Sequence, residues 1–197
     1  MCRFLAYTGS PVWLDSLLIE PESSLITQSL AAREAKTVVN GDGCGIGWYG
    51  ERGEPGIYRG ILPAWSDRNL TSLCHQLRSP MFLAHVRSAT TGGVSMSNCH
   101  PFGFGRHLFM HNGQIGGYEK VKRAIEAYIP DEVYCSRAGN GDSEAIFLIA
   151  AGFGLDRDPI GALKRTLQMC LDVVSRAGLN EPVRFSAIHA DGEKLHA

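Results

Sequence analysis

Apolar and polar residues follow two different spacings along the chain, and these spacings predict an alternation of short strands and amphipathic helices. Residues 2–8 alternate weakly and end at Gly9-Ser10-Pro11, so we expect an N-terminal strand that stops at a turn. The other predicted strands are 46–49, 56–59, 81–87, 101–104, 108–111 and 183–189. Helical spacing predicts helices over 12–36 (broken at Glu20-Pro21), 67–78, 118–128, from Asp142 onward, and from 158 to about 177.

The order of these elements indicates the fold class. Strands come in hairpins and helices come in runs, which is typical of an α+β fold with antiparallel sheets rather than of a doubly wound parallel sheet. The 197 residues contain no internal repeat and no linker, so we expect one domain over residues 1–197. Near the end of the sequence, Asp191-Gly192 predicts a hairpin turn.

Composition and charge argue against several classes of protein. Apolar residues make up 44% of the chain and charged residues 20%, which is ordinary for a globular protein. The formal net charge of −1 argues against a nucleic-acid-binding protein. The longest uncharged apolar run, Ala145–Leu155, is far shorter than the ~20 residues of a membrane-spanning helix. The N-terminal residues lack the pattern of a signal peptide, so we expect a cytoplasmic protein with no membrane contact.

The cysteines and histidines do not have the spacing of a metal site. The chain contains no C-x-x-C pair and no H-E-x-x-H motif, and its six cysteines are expected to be reduced thiols. The glycines at 41, 43 and 45 run into a predicted strand, whereas a dinucleotide-binding loop opens a helix. We therefore expect neither a metal nor a cofactor.

Cys2 is a candidate nucleophile because it follows the initiator methionine. Its small side chain predicts removal of Met1, which would leave one residue with both a thiol and a free α-amine. An α-amine has a pKa of about 7.7–8.0, so part of it is neutral at pH 7 and can act as the base that the thiol needs. Taken alone, however, Cys2 is better explained as an ordinary residue packed inside an edge strand.

Three further stretches place polar residues at the ends of predicted elements. Arg87 leaves an apolar strand, and its planar guanidinium is suited to a carboxylate. Asn112 and Gly113 can direct a side-chain amide and a backbone N–H at an oxyanion. Asp142 at the start of a helix can bind an ammonium group. Each stretch has an ordinary structural alternative, which is respectively a surface arginine, an Asn-Gly hairpin turn and a helix N-cap.

A serine nucleophile is an alternative within the same part of the chain. Residues 141–145 differ by one residue from the G-x-S-x-G motif of serine hydrolases, with Ser143 at its centre. Asp172 and His189 follow in the order of such a triad. No convincing strand is predicted before residue 141 and no H-G-G-G loop occurs, so this alternative is the weaker one.

Together these stretches resemble the class II glutamine amidotransferases of the N-terminal nucleophile (Ntn) hydrolase superfamily. The resemblance is greatest to the small branch that includes YafJ-like proteins and the γ-glutamyl hydrolase of ergothioneine synthesis. The family motifs are an initial Met-Cys, then H-x-R-x-x-T-x-G, N-x-(H/Q)-P-F, H-N-G and D-(S/T)-E. The corresponding stretches here are residues 85–92, 98–102, 111–113 and 142–144. They occur in the family's order and span essentially the whole chain.

The resemblance implies a fold and a set of catalytic residues. The expected fold is a four-layer αββα sandwich with the nucleophile at the start of a central strand. Cys2 would be the nucleophile with its own α-amine as the base, and Asn112 and Gly113 would form the oxyanion hole. Because family members have further strands after the turn at 191–192, we expect this domain to lack some C-terminal strands.

The resemblance also implies that the substrate is glutamine or another γ-glutamyl amide. Arg87 would bind its α-carboxylate, Asp142 would bind its α-ammonium, and Thr90 would line the glutamine pocket. The chain has no room for a synthase domain, so ammonia would pass to a separate synthase, or the protein would be a plain γ-glutamyl amide hydrolase. The alternative from another class is a non-catalytic module that binds glutamine or a γ-glutamyl compound.

Overall fold

The computed structural model describes residues 2–30, 39–89 and 93–197, and within these ranges the chain forms eight strands and seven α-helices. The strands are β1 (Arg3–Trp13), β2 (Cys44–Tyr49), β3 (Gly56–Gly60), β4 (Arg78–Val86), β5 (Phe102–Phe104), β6 (His107–His111), β7 (Ala187–Ala190) and β8 (Leu195–His196). The helices are α1 (Asp15–Leu18), α2 (Leu25–Leu30), α3 (Arg68–Gln76), α4 (Tyr118–Glu126), α5 (Asp131–Tyr134), α6 (Asp142–Gly152) and α7 (Pro159–Arg176). No helix in these ranges combines the length and the apolar character that crossing a membrane requires.

The strands form two four-stranded sheets in which every pair is antiparallel. The first sheet has the order β1-β4-β2-β3 and the second has the order β5-β6-β7-β8. In the first sheet Arg3 lies opposite Val86, so the start of β1 lies beside the end of β4. In the second sheet His111 lies opposite Ala187 at the end of β6. These two registers bring the predicted site residues to the same end of the two sheets.

Three hydrophobic clusters show how the layers pack. The inner faces of the two sheets meet through residues such as Leu83 and Leu108. The outer face of the first sheet packs on α1, α2 and α3, with Phe82 at the centre of that cluster. The outer face of the second sheet packs on α4 to α7, where the rings of Phe109 and Phe147 stack with centroids 5.3 Å apart. This helix–sheet–sheet–helix order confirms the predicted four-layer α+β sandwich.

The buried helix α6 lies between the second sheet and the helices around it. Residues 142–150 are all buried, so this part of α6 has no face toward solvent. Its apolar stretch, residues 145–150, requires cover on all sides. Because α6 is held in this way, its N-terminus is fixed at the edge of the sandwich, beside the ends of β4 and β6.

The first strand is longer than the sequence pattern predicted. β1 continues through Gly9-Ser10-Pro11, and its register with β4 shifts between Thr8 and Val12. The turn-forming residues therefore make a bulge within the strand instead of ending it. The prediction of helix over 12–36 was wrong at residues 12–13, which belong to β1, whereas the short helices α1 and α2 lie on either side of the predicted break at Glu20-Pro21. Residues 31–38 of that prediction lie outside the described residues.

The C-terminal third of the chain follows the sequence signals more closely. The Asp158 carboxylate accepts a hydrogen bond of 2.9 Å from the Gly161 N–H at the start of α7, which confirms the predicted N-cap. Gly178 ends the helix with a φ of 67°. The predicted strand over 183–189 is shorter than expected, because only β7 is a regular strand and Arg184 forms a single bridge to Gln114.

Candidate active site

The Cys2 thiol lies between the start of β1 and the chain that leaves β4. Its Sγ accepts a hydrogen bond from the Ser88 N–H at 3.3 Å and lies 3.4 Å from the Ser88 carbonyl oxygen. Burial raises the pKa of the Cys2 thiol, and the hydrogen bond from Ser88 and the charge of Arg87 oppose this shift in part. At neutral pH the sulfur is therefore a thiol that needs a base to become a nucleophile.

The glycine-rich loop before β2 holds the exit of β4 in place. The Asp42 N–H donates to the Arg87 carbonyl at 3.1 Å, and the Arg87 N–H donates to the Gly43 carbonyl at 2.8 Å. The Asp42 carboxylate accepts a further bond of 2.8 Å from the Ala89 N–H. Gly43 has a φ of 110°, a conformation that other residues rarely adopt, which explains a glycine at this position. The loop thus has a structural role, since it fixes the backbone beside Cys2.

Arg87 is almost fully buried, which excludes the surface-arginine alternative. Only 5% of the residue is exposed, and its Nη1 donates to the Gly93 carbonyl at 3.3 Å. A buried guanidinium keeps its charge and requires compensating partners. Thr90, the other residue predicted in this loop, lies outside the described residues, so its role stays a prediction.

Asn112 and Gly113 continue the line of β6 instead of forming a hairpin turn. The Asn112 N–H donates to the Ser186 carbonyl at 2.7 Å, and the next pair of bonds joins Gln114 to Arg184. The Asn112 side chain turns toward Cys2, where its Nδ2 donates to the Cys2 carbonyl at 2.9 Å. A Cβ on Gly113 would lie 2.1 Å from the Arg184 carbonyl oxygen, so this position accepts only glycine.

Asp142 opens α6 but does not cap it. The N-cap residue is Gly141, which makes no side-chain cap, and the Asp142 Oδ2 instead accepts a bond of 2.8 Å from the Ile115 N–H. Its second oxygen, Oδ1, lies 3.4 Å from the Ser143 hydroxyl. Only 4% of Asp142 is exposed. The N-cap alternative is therefore wrong, and a buried carboxylate faces the site.

These side chains line one narrow cleft between the ends of the two sheets. The cleft has a volume of about 40 Å³ and is lined by residues that carry a thiol, a guanidinium and a carboxylate. Its lining residues include Cys2, Arg87, Gly113 and Asp142, with Ser88, Asn98, His100, His111 and Ser143 between them. Asn112 lies at its border and, together with Cys2, lines a second cavity of about 530 Å³ on the outer side of β1.

Three polar residues that support this cleft received no role from the sequence. The Asn98 amide bridges the Gly93 carbonyl and Asn140, and so ties the loop after β4 to the segment before α6. The Glu144 carboxylate accepts bonds from two backbone N–H groups before α6. His111 contacts Ser143. All three lie within the motifs that the sequence resemblance rests on, which was the available signal.

The predicted Ser–Asp–His triad is not assembled. His189 forms a 2.9 Å contact with His107, and Asp172 accepts a bond from Gln168 on the surface of α7. Ser143 instead has His111 as its nearest partner, with 2.9 Å between Oγ and Nδ1. Among residues 2–30, 39–89 and 93–197, no group of three or more His, Cys, Asp or Glu side chains could hold a metal ion.

Comparison with known proteins identifies the family. The family model described as "Glutamine amidotransferases class-II" matches residues 17–197. A Saccharomyces cerevisiae protein named probable glutamine amidotransferase DUG3 is 39% identical over 158 residues, which are 76% of this chain and 44% of that protein. A Mycobacterium tuberculosis protein named γ-glutamyl-hercynylcysteine sulfoxide hydrolase is 32% identical over 200 residues, covering 100% of this chain and 76% of its own length.

A solved structure agrees with the sequence comparison. A glutamine aminotransferase class-II domain protein from Silicibacter pomeroyi is 38% identical and superimposes with a TM-score of 0.76. The match covers 99% of this chain and 74% of that one. The match of the family model over most of the chain and the shared fold confirm the resemblance seen in the sequence: the chain belongs to the class II glutamine amidotransferases.

Proposed function

We propose that the chain hydrolyses the amide bond of glutamine or another γ-glutamyl amide through a thioester at Cys2. The observation that carries the proposal is the composition of the cleft, where a thiol, a guanidinium and a carboxylate lie together. The relatives support the same substrate class, since one is named a glutamine amidotransferase and another a γ-glutamyl compound hydrolase. The matched region covers less than half of the yeast protein, so membership of the family does not by itself assign the activity of that whole protein to this chain.

The charges in the cleft match the head of a γ-glutamyl substrate. That head carries an α-carboxylate and an α-ammonium on the same carbon. Arg87 would bind the carboxylate through its planar fork, and Asp142 would bind the ammonium through Oδ1. Both side chains are almost fully buried, so these charge-assisted bonds form where water competes least. The pair therefore selects a zwitterionic amino acid head over a simple amide.

The reaction begins with proton transfer from the Cys2 thiol to a base. Burial keeps the thiol protonated, and the free α-amine of a mature Cys2 is the base that lies on the same residue. The sulfur then attacks the γ-carbonyl carbon, and the carbonyl oxygen becomes an oxyanion. Collapse of this intermediate breaks the C–N bond, and the amine leaves with the transferred proton. Water then attacks the thioester, which releases the γ-carboxylate and restores the thiol.

The oxyanion would be stabilised by Asn112 and Gly113. The Asn112 amide has two N–H donors, and the bond to the Cys2 carbonyl uses one of them. The second donor and the Gly113 N–H are the groups that can meet the charge as it develops. Because Gly113 is packed against the Arg184 carbonyl, its backbone is already fixed before the substrate binds.

The leaving amine has room beside the nucleophile. Cys2 and Asn112 border the cavity of about 530 Å³, which also contains Arg3 and Gln28, joined by a 2.7 Å hydrogen bond. An amine larger than ammonia would fit there. The ratio of kcat/KM for glutamine to that for γ-glutamyl amides of larger amines separates the two cases. A preference for glutamine would indicate a separate synthase that accepts ammonia, and a preference for larger amines would indicate a plain hydrolase.

A second candidate rests on the contact between Ser143 and His111. A serine hydroxyl 2.9 Å from an imidazole nitrogen is the geometry of a serine nucleophile and its base. In this version Ser143 would form the covalent intermediate in the same cleft, and Cys2 would line the pocket. If neither Cys2 nor Ser143 reacts, the chain would be a non-catalytic module that binds a γ-glutamyl compound in the same cleft.

The test is covalent labelling with a diazo-ketone analogue of glutamine, followed by intact-mass and peptide analysis. We expect one label per chain, located on a Cys2 that has lost Met1. Cys2→Ala should abolish both labelling and amide hydrolysis, whereas Ser143→Ala should keep the label. The exposed Cys135 is the matched control, because Cys135→Ser removes a reachable thiol outside the cleft and should change nothing. Labelling of Ser143 would establish the serine reaction, and full retention of Met1 with no label on Ser143 would leave only the binding module.

A further inference from the structure

The imidazole of His111 joins the two halves of the cleft. One ring nitrogen, Nε2, lies 3.3 Å from the Arg184 carbonyl oxygen. The same nitrogen is close to Gly113, since a Cβ added to that glycine would lie 2.6 Å from it. The other nitrogen, Nδ1, lies 2.9 Å from the Ser143 Oγ. Only 2% of His111 is exposed, and its ring packs against Phe185. The Nε2 side of the ring therefore lies against the backbone at Gly113, and the Nδ1 side faces the start of α6.

The hydrogen bonds assign the positions of the protons. A carbonyl oxygen can only accept, so Nε2 carries a proton and donates to the Arg184 carbonyl. Burial lowers the pKa of His111, so the ring is neutral and Nδ1 is an acceptor. Nδ1 therefore accepts the hydroxyl proton of Ser143, which has no other proton to donate.

This assignment determines what Asp142 can bind. The Ser143 hydroxyl lies 3.4 Å from Asp142 Oδ1, which is longer than its 2.9 Å contact with His111. With its proton directed at Nδ1, the hydroxyl does not occupy Oδ1. The Asp142 carboxylate then keeps that oxygen for a cation in the cleft, while Oδ2 remains bonded to the Ile115 N–H.

We propose that His111 is a positioning residue that serves both halves of the site, with Nε2 holding the oxyanion backbone at Gly113 and Nδ1 turning Ser143 away from Asp142. This inference rests on the proposed function, because it assigns the two ends of the ring to two steps of that reaction. In this assignment Ser143 holds a proton away from the ammonium site and does not react.

Two isosteric variants separate the ends of the ring. His111→Asn keeps an acceptor on Cγ, where Nδ1 is attached, and loses the donor to Arg184. His111→Gln places an amide donor near the position of Nε2 and loses the acceptor for Ser143. For a γ-glutamyl anilide we expect His111→Asn to lower kcat roughly tenfold with KM within about threefold. We expect His111→Gln to raise KM roughly tenfold with kcat within about threefold.

The Ser143 variants test the same assignment without changing the ring. Ser143→Ala leaves no hydroxyl to occupy Oδ1, and Ser143→Thr keeps the hydroxyl and its bond to Nδ1, so both should keep KM within about threefold of the wild type. In the double variant of Ser143→Ala and His111→Gln, KM should return toward the wild-type value, since no hydroxyl is then left to occupy Asp142 Oδ1. A merely structural role for His111 predicts instead that its two variants lose stability and activity together.

The outcomes distinguish this inference from the proposed function. Each variant is first titrated with the diazo-ketone, so the fraction of chains with a reactive Cys2 is known. If all variants label at Cys2 but His111→Asn and His111→Gln change kcat and KM in the same way, the positioning role is refuted and the thioester reaction stands. If Cys2→Ala retains hydrolysis, the proposed function fails. Should either His111 variant fail to fold, the KM of Ser143→Ala decides the question: a value within about threefold of the wild type supports the assignment, and a rise of about tenfold refutes it, because the hydroxyl would then itself contact the ammonium.

Discussion

In the proposed reaction the amide of Asn112 has two separable roles, and Asn112→Ala should affect both by different amounts. One N–H donates to the Cys2 carbonyl at 2.9 Å and so contributes to the stability of the fold. The other N–H is assigned to the oxyanion, which exists only during the reaction. The substitution therefore provides a test in which folding and catalysis have independent readouts.

The two magnitudes follow from the type of each bond. A single hydrogen bond in a half-buried position contributes about 0.5–1.5 kcal/mol to stability. For a chain of this length, a loss of 1 kcal/mol lowers the melting temperature by roughly 2–4 °C. Removal of one donor from an oxyanion hole typically lowers kcat by ~10²–10³, which corresponds to ~2.7–4 kcal/mol. Catalysis should thus fall far more than stability.

The assay combines steady-state kinetics on a γ-glutamyl anilide with thermal unfolding. We expect kcat of Asn112→Ala to fall by ~10²–10³ while KM changes little, because the interaction grows only as charge develops. Gln114→Ala is the matched control, because Gln114 lies two residues further along the same backbone and pairs with Arg184 through its main chain. A rise in KM with unchanged kcat would refute the assignment and place Asn112 among the residues that only shape the cleft.

Two further predictions concern substrate capture and acid stability. Arg87→Lys and Asp142→Asn should each raise KM for γ-glutamyl substrates, and the double variant should lose less than the sum because both groups hold one small head; unchanged KM in both would show that the head binds elsewhere. Burial lowers the pKa of His85 to about 3 and that of His189 to about 4, so both fold as neutral rings. Since an unfolded histidine titrates near ~6.5, stability is full above that pH and declines as the pH falls toward 4, by up to ~1.4 kcal/mol per pH unit for each ring. Denaturant unfolding from pH 7 to pH 4 measures this slope, and a flat profile would contradict it.

The parts of the fold that sequence predicted well depend on local signals. Asp158, the proline that follows it and the glycine after α7 mark the two ends of a single helix. The structure contains all three as predicted. The buried helix α6 was also predicted from an apolar run. Periodicity and caps are properties of a short segment, so they can be recognised without knowledge of the rest of the chain.

The errors occurred where a partner strand decides the conformation. Gly9-Ser10-Pro11 has the composition of a turn, but pairing with β4 on both sides of it extends β1 through a bulge. The Asn112-Gly113 pair has the composition of a hairpin turn, but Ser186 and Arg184 pair with the backbone on either side. In both cases the decisive hydrogen bonds come from residues that are more than 60 positions away in the sequence. Local composition therefore cannot predict them.

The two acidic residues at the start of α6 show how geometry assigns roles that a motif cannot. Both Asp142 and Glu144 are buried, so each needs compensation for its charge. The Glu144 oxygens accept bonds of 3.0 and 2.7 Å from the N–H groups of Ala138 and Gly139, and the Arg137 Nη1 lies 3.8 Å away. Asp142 has one such bond, and among the residues that the structure describes its Oδ1 has only the 3.4 Å contact with the Ser143 hydroxyl, whose proton is directed at His111. Both oxygens of Glu144 are hydrogen-bonded, so this carboxylate holds the loop before α6. Asp142 faces the cleft with Oδ1 available for a cation, which is why Asp142 rather than Glu144 is assigned to the ammonium group.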